Sequence, residues 1–232
     1  MDVLGDKILD NSAGKFQTTG KGLKHMEPMP LPLEVVYAEV KAPIKAPTSS
    51  SGKTAVQPAP VHLEALDAMA DEPGLLSYTS GSVDDAFVNS LIETQRTNAG
   101  RRVLSIPDAI RLVQDATEVL KAESTLPRVD FDQVVVVGDI HGQFLDLLRI
   151  FSLTGMPSEQ NPYLFNGDFV DRGPCSIEVM LLLLTLKLRF PRHVRLNRGN
   201  HEAASLNLRY GFAAEIRERY GQRGQMLFET FS

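Results

Sequence analysis

Cysteine is almost missing from this chain: Cys175 is the only one. An intrachain disulfide is therefore excluded, and a reducing, intracellular setting, cytoplasmic or nuclear, is expected. A basic excess is missing too. The formal net charge of -5 excludes broad electrostatic attraction to nucleic acid or anionic lipid, so any anion must be recognised locally. No apolar run is long enough to cross a bilayer. The most apolar stretch, Met180 to Leu188, is bounded by Glu178 and Arg189 and reads as a buried helix. The start, Met1-Asp2-Val3, offers neither a basic-then-apolar leader nor a glycine for myristoylation, so no membrane address is expected.

What is present is unevenly spread. Hydrophobic residues make up 43% and charged residues 23%, as in ordinary globular proteins, yet half of the 14 prolines fall between Pro28 and Pro60. That stretch, with Lys-Ala-Pro units and Ser49-Ser50-Ser51-Gly52, lacks the apolar density to offset the entropy of ordering. Residues 1–84 are therefore read as a flexible extension, a solvated tail with room for a regulatory partner. Within it, Gly52-Lys53-Thr54 ends like a phosphate-binding loop, but Pro47 stands where the leading glycine belongs and no strand precedes it, so that reading is rejected. Residues 85–127 form a helical lead-in. Ser105 is the expected N-cap, Pro107 sits in the first turn, and Ile106, Ile110, Val113, Thr117 and Leu120 share one face.

From Val129 the pattern changes to short β-branched or aromatic runs separated by helical stretches. Strands are expected at Val134 to Val137, Tyr163 to Phe165 and His193 to Leu196, with helices near Phe144 to Phe151 and Ile177 to Leu188. The class is α/β, a β-α-β-α-β series over residues 128–232. Arg128-Val129-Asp130-Phe131 has the form of a short docking motif but reads more simply as the beginning of the first strand. His25, His62 and His193 have no metal-like neighbours in sequence and read as exposed or incidental. Each strand runs into a cluster of Gly, Asp, His or Asn, at the carboxyl ends where open α/β sheets gather ligands.

The first cluster is Gly138-Asp139-Ile140-His141-Gly142-Gln143. Asp139 and His141, one residue apart, leave the strand pointing the same way, and carboxylate with imidazole suits manganese, iron or zinc. Alone, such a pair reads equally well as a capped loop. The second cluster, Asn166-Gly167-Asp168-Phe169-Val170-Asp171-Arg172-Gly173, again places an acid just past a strand. A bridging Asp168 would hold two cations about 3.5–4 Å apart, the separation used in two-metal hydrolysis, and Arg172 offers a planar fork matched to phosphate oxygens. In the third, Arg198-Gly199-Asn200-His201-Glu202, Asn200 has a neutral amide oxygen for a metal and His201 can act as acid or base. Three such clusters in order make a chance match negligible.

Gly-Asp-Ile-His-Gly, Gly-Asp-Phe-Val-Asp-Arg-Gly and Arg-Gly-Asn-His-Glu resemble the three signatures of the phosphoprotein phosphatase family. The likeness runs from about Val129 to Tyr220. Pro157 to Tyr163 and Leu206 to Phe212 look most like the EF-hand phosphatases of the retinal-degeneration-C type, with the tetratricopeptide-bearing phosphatase next. The resemblance implies a metallophosphoesterase-like α/β sandwich of which only the N-terminal half is present. It implies that Asp139, His141 and Asp168 hold one divalent metal ion, and that Asp168 with Asn200 begins the site of a second. His201 would then protonate the leaving alkoxide, Asp171 would orient its ring, and Arg172 would grip the phosphoryl group. Water activated by the two cations would attack phosphorus in line, with no covalent intermediate, and Cys175 would be only a small residue near a helix start.

The family draws two further metal-binding histidines, a second arginine and a late tyrosine from sequence beyond these motifs, and none is found here. No Asp-x-Asp-x-Asp-Gly calcium loop occurs either. The expectation is a fragment or truncated product with weak metal retention and little turnover. Its expected activity is hydrolysis of phosphoserine and phosphothreonine in protein substrates. A phosphodiesterase acting on nucleotides and an inactive chain that serves as a binding protein are the alternatives.

Overall fold

The computed structural model describes residues 74–98, 100–126 and 128–231. Most of the extension expected over 1–84 lies outside the described residues, as do Gly52-Lys53-Thr54, His25 and His62. The part that is described, from Gly74 on, packs against the core. Leu76 N–H donates to Val103 O at 2.8 Å, and Tyr78, 3% exposed, gives its hydroxyl to Asp115 at 2.6 Å. One buried aromatic with a satisfied hydroxyl is enough to anchor a short polar segment.

Helices α1 (Asp85–Thr97) and α2 (Ile106–Lys121) form the lead-in. Asp84 caps α1 by accepting from Phe87 N–H at 2.7 Å, and Ser105 caps α2 by accepting from Asp108 N–H at 3.2 Å, each satisfying a donor that the first turn leaves open. The α2 face foreseen from Ile106, Ile110 and Val113 is buried and extends to Leu112 and Ala116. Thr117 stands half-buried and turns its hydroxyl back to Val113 O at 2.7 Å.

Three strands follow, β1 (Val135–Val137), β2 (Tyr163–Phe165) and β3 (Val194–Leu196), in one parallel sheet of that order. Val135, Tyr163 and Val194 share one register row, and Val137, Phe165 and Leu196 another. Parallel neighbours need crossovers, supplied by α3 (Phe144–Thr154) and α4 (Ser176–Arg189). Strand alternation sets the two faces of the sheet. Tyr163, Phe165, Val137 and Val194 are buried, and the rings of Tyr163 and Phe165 meet Phe151 of α3 edge to face, whereas Val136, in the row between, is 63% exposed.

Helix α4 is buried nearly all round, which explains its unbroken apolar run; no described helix is long and apolar enough to cross a membrane. Its buried Lys187 is held by Glu123, Pro191 O and Val194 O. Burial draws the Lys187 pKa down and Glu123 opposes that shift. Residues 128–134 precede the first strand instead of beginning it. Phe131 packs its ring on His193 at 5.3 Å, so His193 is half-buried. The chain then folds through a 3-10 turn (Asn200–Glu202), α5 (Ala204–Tyr210), α6 (Phe212–Tyr220) and α7 (Gly224–Phe231). The parallel arrangement brings the loops 138–143, 166–175 and 197–202 to one edge of the sheet.

Candidate active site

The first two loops are sewn together by backbone bonds. Ile140 N–H and His141 N–H both donate to Asp168 O at 3.0 Å, and Gly142 N–H donates to Phe169 O at 2.8 Å. The second and third loops touch through Gly167 and Gly199: a Cβ on Gly199 would overlap the Asp168 carboxylate, and one on Gly167 would overlap the Gly199 backbone. Among the described residues, the non-glycine positions with positive φ are His141, Asp168, Asp171 and Arg172. Each such residue costs on the order of 1–3 kcal/mol. All four are residues singled out from the sequence.

Asp139, His141 and Asp168 offer ligand atoms that lie within 4.8 Å of one another. Nδ1 of His141 is 2.8 Å from Val170 O, a contact that calls for a proton on Nδ1 and leaves a lone pair on Nε2. That Nε2 is buried without a hydrogen-bond partner and stands 3.9 Å from Asp139 Oδ2. A buried imidazole nitrogen left open beside two carboxylates fits a divalent cation. Asn200 lies between two residues that contact the Asp168 carboxylate: Gly199, and His201, whose backbone N–H donates to Asp168 Oδ1 at 2.9 Å. The Asn200 side chain is exposed.

His201 is buried, 3% exposed. Its Nδ1 is 2.9 Å from Oδ2 of Asp171, itself fully buried, while Arg172 Nη2 approaches its Nε2 at 3.2 Å. Asp171 is fixed on its other side by Phe212 N–H at 2.9 Å. The rings of His141 and His201 meet edge to face at 4.7 Å, so the metal-like cluster and the acid–base pair are neighbours. Arg172 is exposed and free to reach an incoming anion. Cys175 is half-buried, and burial, with Glu178 nearby, pushes its thiol pKa up, the reverse of what a nucleophilic thiolate requires.

Two further residues complete the site. Glu202 accepts backbone N–H bonds from Asp168 at 2.8 Å, Phe169 at 2.7 Å and Gly199 at 2.8 Å, clasping the second loop to the third. Its acid three residues after Gly199 is a helix-start signature, the one hint of this role in the sequence. Asn207 donates to Asp171 Oδ2 at 3.3 Å and to His201 O at 2.5 Å, and no spacing rule points to it.

Residues 133–231 match the model of the calcineurin-like phosphoesterase family. That stretch belongs to the family. Among its relatives, human serine/threonine-protein phosphatase 5 is 42% identical over 155 residues, 66% of this chain and 30% of the relative. Serine/threonine-protein phosphatase T of Schizosaccharomyces pombe is 40% identical over 176 residues, 74% of this chain and 36% of the relative. The rat serine/threonine-protein phosphatase with EF-hands 1 is 42% identical over 124 residues, 52% of this chain and 19% of that protein. A solved serine/threonine phosphatase from Saccharomyces cerevisiae superposes with a TM-score of 0.57 at 34% identity, over 64% of this chain and 48% of that one. The metallophosphoesterase fold is thereby shown. The chain spans about a third of the length of the curated relatives it matches.

Proposed function

We propose that this chain hydrolyses phosphoserine and phosphothreonine in protein substrates within a reducing, intracellular compartment, and that residues 128–232 hold the N-terminal part of the catalytic site. One observation carries the reading: the open Nε2 of His141, with Asp139 and Asp168 around it, lies against a buried His201–Asp171 pair and an exposed Arg172. The kinship with serine/threonine phosphatases supports the substrate class.

In this proposal Asp139, His141 and Asp168 hold one divalent cation, manganese, iron or zinc, and Asp168 with Asn200 contributes to a second. When bound, such ions supply a nucleophilic water at neutral pH and polarise the phosphoryl oxygens. The remaining work falls to the chain itself. Arg172 binds two phosphoryl oxygens and leaves His201 Nε2 as it does so. His201, whose Nδ1 proton is held by Asp171, takes up a proton from solvent at Nε2 once Arg172 has left it and delivers that proton to the departing serine or threonine oxygen. Asp171 stabilises the cationic imidazole that this donation requires.

Hydrolysis of a phosphoseryl peptide compared with that of a phosphodiester, with manganese added, tests the reading. Slow turnover of the peptide, in preference to the diester, is expected. Preference for the diester would make the chain a phosphodiesterase, and inactivity on both with retained binding of phosphoproteins would make it a binding protein.

A further inference from the structure

Helix α4 begins without a cap of its own: Cys175 at its N-terminus gives no side-chain hydrogen bond. The cap comes from α6. Glu215 accepts from Ser176 N–H and Ile177 N–H, both at 3.0 Å. One turn along, Arg219, with a side chain 6% exposed, pairs with Glu215 at 3.0 Å and with Glu178, whose side chain is 1% exposed. The same guanidinium donates to Pro174 O. At the opposite end of this loop, Phe212 N–H donates to Asp171 at 2.9 Å and Arg172 N–H donates to Tyr210 O at 3.2 Å. Residues 210–219 therefore grip 171–177 at both ends, with Arg172 itself in the first grip and strained at a φ of 67°.

A serine or aspartate at position 175 could cap the helix at the surface. Burying two carboxylates on one guanidinium is an expensive substitute, since desolvation offsets much of the attraction; burial also raises the pKa of Glu215 while Arg219 pulls it down. What the buried trio adds beyond a cap is its hold on Pro174, two residues from Arg172. A cleft of about 400 Å³, lined by Arg172, Gly173, Pro174, Tyr210, Glu215 and Arg219 among others, runs along this contact. We infer that Glu215 and Arg219 are positioning residues that fix the 171–175 loop so that Arg172 meets a phosphoryl group beside His201. The inference rests on the phosphate-gripping role proposed for Arg172.

The test is calorimetric titration of the whole chain with inorganic phosphate at a fixed manganese concentration. Wild type, Arg172→Ala, Arg219→Ala, Arg219→Lys, Glu215→Gln and the doubly substituted Arg172→Ala/Arg219→Ala chain are compared, with exposed Glu229→Gln on α7 as control. Hydrogen exchange at the Arg172 amide and at core amides of α4 is read in parallel. Misplacing a clamp by about 1 Å costs up to roughly 100-fold. Arg219→Ala and Glu215→Gln should thus weaken phosphate binding about 10-fold or more and speed exchange at Arg172 with the α4 core still protected; Glu229→Gln should bind as wild type. The double variant should bind no worse than Arg172→Ala alone. Should Arg219→Ala unfold the chain, Arg219→Lys decides. Wild-type affinity in the Arg219 and Glu215 variants, or losses that add to that of Arg172→Ala, would overturn the inference. An unchanged affinity in Arg172→Ala would instead remove the phosphate-gripping role itself.

Discussion

Replacing Glu202 by alanine deletes the carboxylate that receives three backbone N–H groups, those of Asp168, Phe169 and Gly199. A hydrogen bond to a charged group contributes about 1.5–3 kcal/mol, but Asp168 and Gly199 are half-buried and only Phe169 is buried, so water recovers part of the loss. Release of Asp168 from its left-handed backbone, φ 54°, returns about 1–3 kcal/mol more. The net expectation is a destabilisation of about 2–4 kcal/mol. Glu202→Gln keeps one acceptor oxygen but turns an amide donor toward the remaining N–H, so about half of that is expected. Because Asp168 then leaves its place beside His141, manganese affinity should fall roughly 10- to 100-fold. Urea unfolding with and without manganese measures both effects. A loss below about 0.5 kcal/mol, typical of surface substitutions, together with unchanged manganese affinity, would refute the clasp.

His201→Ala, in a chain that turns over phosphopeptide, should abolish turnover while manganese content is unchanged; an unaltered rate would remove His201 from proton transfer. Lys187→Ala leaves two carbonyls and part of Glu123 unpaired in the core and should cost about 3–5 kcal/mol in urea unfolding, with Lys187→Met costing less because it keeps the volume. Burial raises the phenol pKa of Tyr220 above its ordinary 10.0, so its contribution to stability is complete below pH 10 and is lost as pH rises through the folded value. Tyr220→Phe should flatten the alkaline fall between about pH 10 and 11. Lys187, with its lowered pKa, runs in the opposite sense and cancels in the comparison.

The sequence was most readable where local chemistry and tertiary structure agree. Tyr163 to Phe165 is a strand as expected, and the other two strands start one residue later than their patterns suggest, because β-branched and aromatic runs between turn residues have few other uses. The site loops were legible since metal-type residues must follow the strands. Asp139, His141 and Asp168 lie within reach of one another, a grouping that the family resemblance implied and no spacing rule could give, while Asn200 is placed at the site only by its neighbours' contacts with Asp168. Tyr78 escaped notice because a lone aromatic in a polar segment carries no period; its burial depends on Asp115, 37 residues away. Phe131 and His193 misled for a similar reason, pairing across a distance that no local pattern records. Glu215 and Arg219 look like any helix-surface pair four residues apart, and only the fold shows that they face Pro174 and the start of α4.

A manganese-soaked crystal measured at the metal's absorption edge tests the metal cluster most directly. The expected result is an anomalous peak bonded to Asp139, His141 Nε2 and Asp168, absent from crystals of His141→Ala. A peak elsewhere, or none at saturating manganese with these three side chains turned apart, would contradict it.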